Sequence, residues 1–303
     1  MAAGFSRIAL IGFGEVGQTL GTDLLACGVS VAAYDPLFEN ADNAPSRALA
    51  KIPVLAAKSA PDAVKHAELV ISAVTAASDL DAARSVVPQL PPGAFYLDVN
   101  SVSPGMKQAC SQIIDAAGGR YVEAAVMTPI APKRIASPML LGGPHATDFI
   151  SRANPVGFSG AQVFSQIIGQ ASATKMCRSV IIKGVEALLL ESMVAARHYG
   201  VEKTVLDSLS DLLPVGDWDR LARYMISRAL EHGTRRAEEM RESAKTVAEA
   251  GLEPLMTTAT AEREDWAAAR KEALAYVNDL GAMLDAIRNT MVGDVQAAPK
   301  AAE

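Results

Sequence analysis

The stretch Arg7–Gly17, RIALIGFGEVG, decides the fold. Ile8–Ile11 is a short apolar run closed by a glycine, which reads as a buried strand. Gly12-x-Gly14-x-x-Gly17 follows and passes into Glu15–Cys27, where Val16, Leu20, Leu24 and Leu25 share one side of a helix. Gly28 stops that helix, and Val29–Tyr34 reads as a second strand. Strand, glycine turn, helix and strand in this order are the context of a dinucleotide-binding fingerprint. Gly12 permits the tight turn, Gly14 lets the backbone approach a pyrophosphate, and Gly17 lets helix and strand pack closely. The loop residues Phe13, Glu15 and Val16 complete the expected cofactor site, with helix N–H groups aimed at the phosphates. Asp35 ends the second strand. A carboxylate there accepts from both ribose hydroxyls and repels a 2′-phosphate, so NAD is expected. Arg47 is placed to meet a 2′-phosphate, which keeps NADP open.

Working outward, alternating strands and helices run on for about 160 residues, the mark of a mostly parallel α/β sheet. Val54–Ala56 reads as a short strand, Asp62–Ala67 as a helix and Leu69–Val74 as a buried strand. Val74 and Thr75 close that strand where a nicotinamide ribose lies in a doubly wound sheet. Leu80–Val87 is a helix and Ala94–Val99 a strand. Ser103 caps the next helix, with Pro104 at its first position. Tyr121–Met127 and Met139–Gly142 are further strands, with Val156–Phe158 as a third candidate. From Gly169 onward only helices are expected: Ser172–Tyr199, Val201–Leu213, Trp218–Glu231, Thr234–Ala250 and Thr258–Asn289. The fold expected is therefore a Rossmann doubly wound α/β domain, 1–168, followed by an all-helical domain, 169–295, with a disordered tail at 296–303.

The 303 residues carry a net charge of −6, which argues against a nucleic-acid partner. No apolar run reaches the length of a membrane span. Three scattered cysteines, and a first strand that starts at once, point to reduced thiols and a cytoplasmic location. The four histidines show no metal-ligand spacing, so no metal is expected.

Four further segments bear chemistry. Asp98-Val99-Asn100-Ser101-Val102-Ser103-Pro104 lies where a strand meets a helix. Asn100 and Ser101 there offer donors and acceptors to a ligand, or simply strand-end turn chemistry. Glu123–Pro129 ends another strand, and Thr128 either orients a substrate oxygen or marks a proline turn. In Gly169–Ser179 the small residues let a helix start close to a neighbour. Lys175, one turn inside, is either a snorkelling surface lysine or a desolvated base. Ser179 at i+4 and Arg178 at i+3 lie beside it, and Lys183 and Glu186 extend the same face. His232, Arg235 and Arg236 form either a solvated helical face or a grip for a carboxylate.

Taken together, the glycine fingerprint, the DVNSVSP segment at 98–104, the EAAVMTP segment at 123–129 and the later Lys175 resemble the β-hydroxyacid dehydrogenase family. That family includes 6-phosphogluconate dehydrogenase, 3-hydroxyisobutyrate dehydrogenase and the imine reductases. The helical half, with ATKMCRSVIIKGVEALLLESM and GLEPLM, is similar to its phosphogluconate-dehydrogenase-like branch. The resemblance implies a homodimer with Lys175 as general acid/base; Asn100, Ser101, Thr128 and Ser179 are the residues expected to orient the substrate. Ser179 stands where the family has an asparagine, Met127-Thr128-Pro129 where it has Ser-Gly-Gly, and Ile182 where decarboxylating members have a glutamate. Those departures point away from 6-phosphogluconate. Arg178, or Arg235 with Arg236, suits a carboxylate-bearing substrate. The expected activity is oxidation of a small hydroxy acid or polyol acid. The alternatives are an NADPH-dependent imine or ketone reductase, and a non-catalytic NAD-binding protein.

Overall fold

The computed structural model describes residues 4–209 and 216–297 and divides into two compact units, 1–177 and 178–303. The first unit is built on one eight-stranded sheet. Its strands are β1 (Arg7–Ile11), β2 (Ser30–Tyr34), β3 (Leu55–Ala56), β4 (Leu69–Ser72), β5 (Phe95–Asp98), β6 (Arg120–Val126), β7 (Met139–Gly142) and β8 (Ala161–Ser165). The order is β3-β2-β1-β4-β5-β6-β7-β8, and only the β6–β7 pair is antiparallel. The chain reverses its direction of growth between β1 and β4, which opens a crevice at the carboxyl ends of the strands. Helices α1 (Glu15–Ala26), α2 (Ala44–Leu49), α3 (Ala60–Val64), α4 (Asp79–Val86), α5 (Pro104–Ala116) and α6 (Ala146–Ala153) accompany the sheet.

Strand alternation divides the core. Ile8 and Leu10 enter one apolar cluster with Phe5, Phe95, Leu97 and Phe149, while Ala9 and Ile11 enter the other with Val70, Tyr96 and Tyr121. Both clusters are buried, as expected of a sheet covered on both faces. The candidate strand at Val156–Phe158 is instead a turn. Gly157 adopts φ 110°, Val156 and Phe158 plug the core, and the strand forms at β8.

Helix α7 (Gln170–Tyr199) begins in the first unit and continues into the second, which also holds α8 (Glu202–Leu209), α9 (Trp218–Glu249), α10 (Leu255–Ala268) and α11 (Leu280–Ala297). Trp218–Glu231 and Thr234–Ala250, expected as separate helices, form the single α9. Gly233 does not break it; it allows α10 to approach. A Cβ at 233 would lie 2.3 Å from the Glu264 carbonyl oxygen. The expected helix at 258–289 is broken instead. Arg270 turns its guanidinium over the Trp266 ring, 3.7 Å from the centroid, and Asp279 caps α11 by accepting from the Ala282 N–H. Gln296 and Ala297 are helical, and the rest of the expected tail, 298–303, lies outside the described residues, as do positions 210–213 of the expected Val201–Leu213 helix. No described helix is long and apolar enough to cross a membrane.

Candidate active site

The glycine turn fits a dinucleotide, and the fit can be read glycine by glycine. Gly12 has φ 94°, and a Cβ there would lie 2.3 Å from the Ala73 carbonyl oxygen. A Cβ on Gly17 would lie 2.2 Å from the Gly12 carbonyl oxygen. Both are required by the protein's own packing. Gly14 is different: it is exposed, and a Cβ there meets nothing within 4 Å. Its lack of a side chain leaves room for something outside the chain, and it offers no side-chain cap to α1. The open cradle and an uncapped helix N-terminus are what a pyrophosphate needs.

Asp35 lies 9% exposed at the end of β2. Its carboxylate accepts from the Phe13 N–H at 2.8 Å and from the Leu37 N–H at 2.9 Å, so it braces the glycine turn. Each oxygen keeps an acceptor position for a ribose hydroxyl. Phe13 therefore offers a phosphate nothing: its ring is fully buried and its N–H is taken. Glu15 is exposed and Val16 partly buried at the start of α1. Arg47 is exposed on α2, where it bonds the Asp42 carbonyl oxygen.

The sheet register brings a row of polar residues to the carboxyl edge. Ile11 pairs with Ser72, Ser72 with Asp98, Asp98 with Glu123, and Glu123 with Gly142. Two residues back on the same face, Tyr96 pairs with Tyr121, and their rings stack at 5.9 Å. Asp98 is fully buried, pairs with Lys107 Nζ at 2.7 Å, and accepts from the Tyr121 hydroxyl at 2.6 Å. Burial alone disfavours the Lys107 ammonium, but the Asp98 and Asp79 carboxylates outweigh it and hold the lysine above its ordinary range. Asp79, Asp98 and Cys110 place ligand-type atoms within 4.8 Å of one another. Sequence spacing gave no sign of this grouping, because its members come from three elements. Burial, followed by the neighbouring Asp98 charge, pushes the Asp79 carboxyl up to about 7.

Asn100 departs from its expected role as a substrate and cofactor ligand. It is 5% exposed and its amide is used internally. Nδ2 donates to Asp79 Oδ1 at 2.7 Å and Ser72 Oγ at 2.9 Å, and Oδ1 accepts from the Val74 N–H at 2.7 Å. It ties the loop after β4 to the loop after β5. Val74 is thereby fixed, and Thr75, exposed, meets Ser78 Oγ at 3.2 Å.

Ser101 follows on the tied loop, and Lys175 Nζ donates to its Oγ at 2.6 Å. Lys175 is only partly buried. Its helix is held by Glu123, whose carboxylate accepts from the Gly169 N–H at 2.9 Å, the Ala171 N–H at 3.1 Å and the Ser172 N–H at 3.4 Å. Sequence reading passed over Glu123 because its partners lie far along the chain. The available signal was Gly142, its cross-strand neighbour: a Cβ there would lie 2.2 Å from Glu123 Oε1. Thr128 is exposed just beyond β6, with Met127 before it.

The remaining candidates belong to the second unit. Ser179 is 9% exposed and Arg178 exposed, one turn beyond Lys175 on α7. Lys183 and Glu186, expected to extend the Lys175 face, are buried within the helical unit, where Lys183 pairs with Glu239. Arg236 cannot grip a substrate carboxylate as expected. It is 6% exposed and pairs with Glu186 and Glu264. Arg235 bonds Glu239, and half-buried His232 faces Arg228 Nη1 at 2.7 Å.

Comparison with known proteins bears on the fold and the family. Residues 7–156 match the NAD binding domain of 6-phosphogluconate dehydrogenase, and residues 196–266 match a domain of unknown function, DUF1932. A conserved hypothetical protein of Sinorhizobium meliloti is 34% identical, with 93% of this chain and 96% of that one covered and a TM-score of 0.74. An uncharacterized 28.5 kDa protein of Methanothermus fervidus is 30% identical over 84% of this chain and 96% of its own. The 3-hydroxyisobutyrate dehydrogenase of Mycobacterium tuberculosis, solved with L-serine, shares the fold at 20% identity, with a TM-score of 0.69 over 93% and 99% of the two chains. The chain belongs to the 6-phosphogluconate dehydrogenase-like family, with the NAD binding domain of 6-phosphogluconate dehydrogenase followed by the DUF1932 domain.

Proposed function

We propose that the protein oxidises the alcohol of a small, carboxylate-bearing hydroxy acid, with NAD as the preferred cofactor and Lys175 as general acid/base. The observation that carries this reading is the 2.6 Å bond between Lys175 Nζ and Ser101 Oγ. It sets an amine and a hydroxyl side by side next to the edge of a dinucleotide-binding sheet. When bound, the nicotinamide group supplies a hydride acceptor. The chain's own residues do the rest. Gly14 and the N-terminus of α1 would hold the pyrophosphate, and Asp35 the adenosine ribose. Lys175, as the neutral amine, takes the proton of the substrate hydroxyl as the carbonyl forms and returns it in the reverse direction. Ser101 orients both the lysine and the substrate oxygen by accepting from one and donating to the other. Thr128 and Ser179 complete the contacts to substrate, and Arg178, exposed and one turn on from Lys175, is the candidate for its carboxylate. L-serine in the M. tuberculosis enzyme of like fold supports a substrate of this size, being itself a β-hydroxy acid. The reading includes a homodimer, supported by Ile181 and Leu188, which are 67% and 60% exposed on α7.

The test is Lys175→Met assayed against a panel of short hydroxy acids that the wild type oxidises. The expected outcome is a loss of kcat of at least about a thousandfold, with NAD affinity by calorimetry within about twofold of wild type. Turnover retained by the variant refutes the assignment.

A further inference from the structure

Asp79 is the first residue of α4, yet its carboxyl group is fully buried beneath the loops at the sheet edge. It accepts from Asn100 Nδ2 through Oδ1, and Oδ2 is buried with no hydrogen-bond partner. Four elements bring titratable or polar groups near it: Ser72 from β4, Tyr96 and Asp98 from β5, Lys107 and Cys110 from α5, and Tyr121 from β6. Lys107 is the cation among them, and Asp98 holds it directly.

We propose that Asp79 is a positioning residue of the active site: its carboxyl group fixes the Asn100 amide, and through it the Val74 backbone and the loop that presents Ser101 to Lys175. Asn100 bridges the loops after β4 and β5 with three bonds, one of them to Asp79. Burial and the Asp98 carboxylate favour the neutral form of Asp79 and the Asn100 bond favours the charged one, and in both forms Oδ1 is the acceptor that the Asn100 amide requires. An amide at 79 keeps the oxygen that Asn100 requires and removes the charge. The catalytic consequence rests on the Ser101–Lys175 reading above; the structural consequence does not.

The experiment uses the full chain as wild type, Asp79→Asn and Asp79→Leu. Amide exchange protection of residues 73–78 and 99–103 is measured without nucleotide at pH 7, alongside kcat and KM. Asp79→Asn, which keeps an acceptor for Asn100, is expected to stay within about threefold of wild-type protection in both segments. Asp79→Leu is expected to lose about tenfold in both, the worth of one bond of about 1.4 kcal/mol, with kcat lowered more than KM. If Asp79→Leu does not fold, Asp79→Asn decides the matter: wild-type protection supports the proposal and a tenfold loss overturns it. Asp79→Leu with wild-type protection in both segments overturns it as well. Because exchange is read without nucleotide or substrate, failure to find a hydroxy acid substrate counts against the function alone.

Discussion

Three glycines in one fingerprint make different demands, and substitution should separate them. Gly14 sits at φ −73° with nothing within 4 Å of a Cβ. Gly14→Ala is therefore expected to melt within about 2 °C of wild type but to bind NAD at least about tenfold more weakly, since the methyl occupies the cradle. Gly17→Ala drives its Cβ into the Gly12 carbonyl, so its melting temperature should fall whether or not NAD is present. Calorimetry and thermal melts on the two variants check both outcomes. At this scale the sequence was informative where residues are neighbours along the chain. The glycine turn, Asp35 and the DVNSVSP segment all lie where they were expected. What escaped was the use of side chains across the sheet. Asn100 was legible as a polar residue at a strand end, but its three internal partners depend on a register that no local pattern encodes. Arg236 was misread for a related reason: its helical face is known only once α7 and α10 pack against α9.

Among elements, α9 is the instructive case. Glycine in a helix interior costs about 1 kcal/mol against alanine, and on that basis the sequence divides α9 at Gly233. Packing reverses the sign. The α10 backbone comes so close that the 2.3 Å approach of a Cβ to the Glu264 carbonyl outweighs any gain in propensity. Gly233→Ala is expected to destabilise the protein by about 2 kcal/mol, measured as a lower urea midpoint with an unchanged slope. The same physics explains why the break near Arg270 was not legible. It depends on the guanidinium finding the Trp266 ring and carbonyl.

For the whole molecule, the buried acids set the pH dependence of stability. Asp79, Glu123 and Glu264 are all raised, in each case chiefly by burial. Between their unfolded values near 4 and their folded values, the native state holds more protons than the unfolded chain, so stability declines as pH rises. For Asp79 the decline runs from about 4 to about 7. Surface carboxylates act in the opposite sense: Asp62 is lowered by its bond to Lys65, and Asp285 by Arg197, so stability also declines below about pH 4. Urea midpoints across pH 3 to 8 should therefore peak near pH 4, and Asp79→Asn should flatten the alkaline side.

Glu123 has one more consequence, and it concerns time. The N–H groups it receives come from residues 46, 48 and 49 positions further along the chain. These three bonds form only once β6 has been laid into the sheet beside the start of α7. The first turn of the helix that carries Lys175 should then order after the barrier to folding has been crossed. Glu123→Gln is expected to speed unfolding while leaving the refolding rate nearly unchanged, a φ-value close to zero. The lysine would thus be among the last groups set in place as the chain folds.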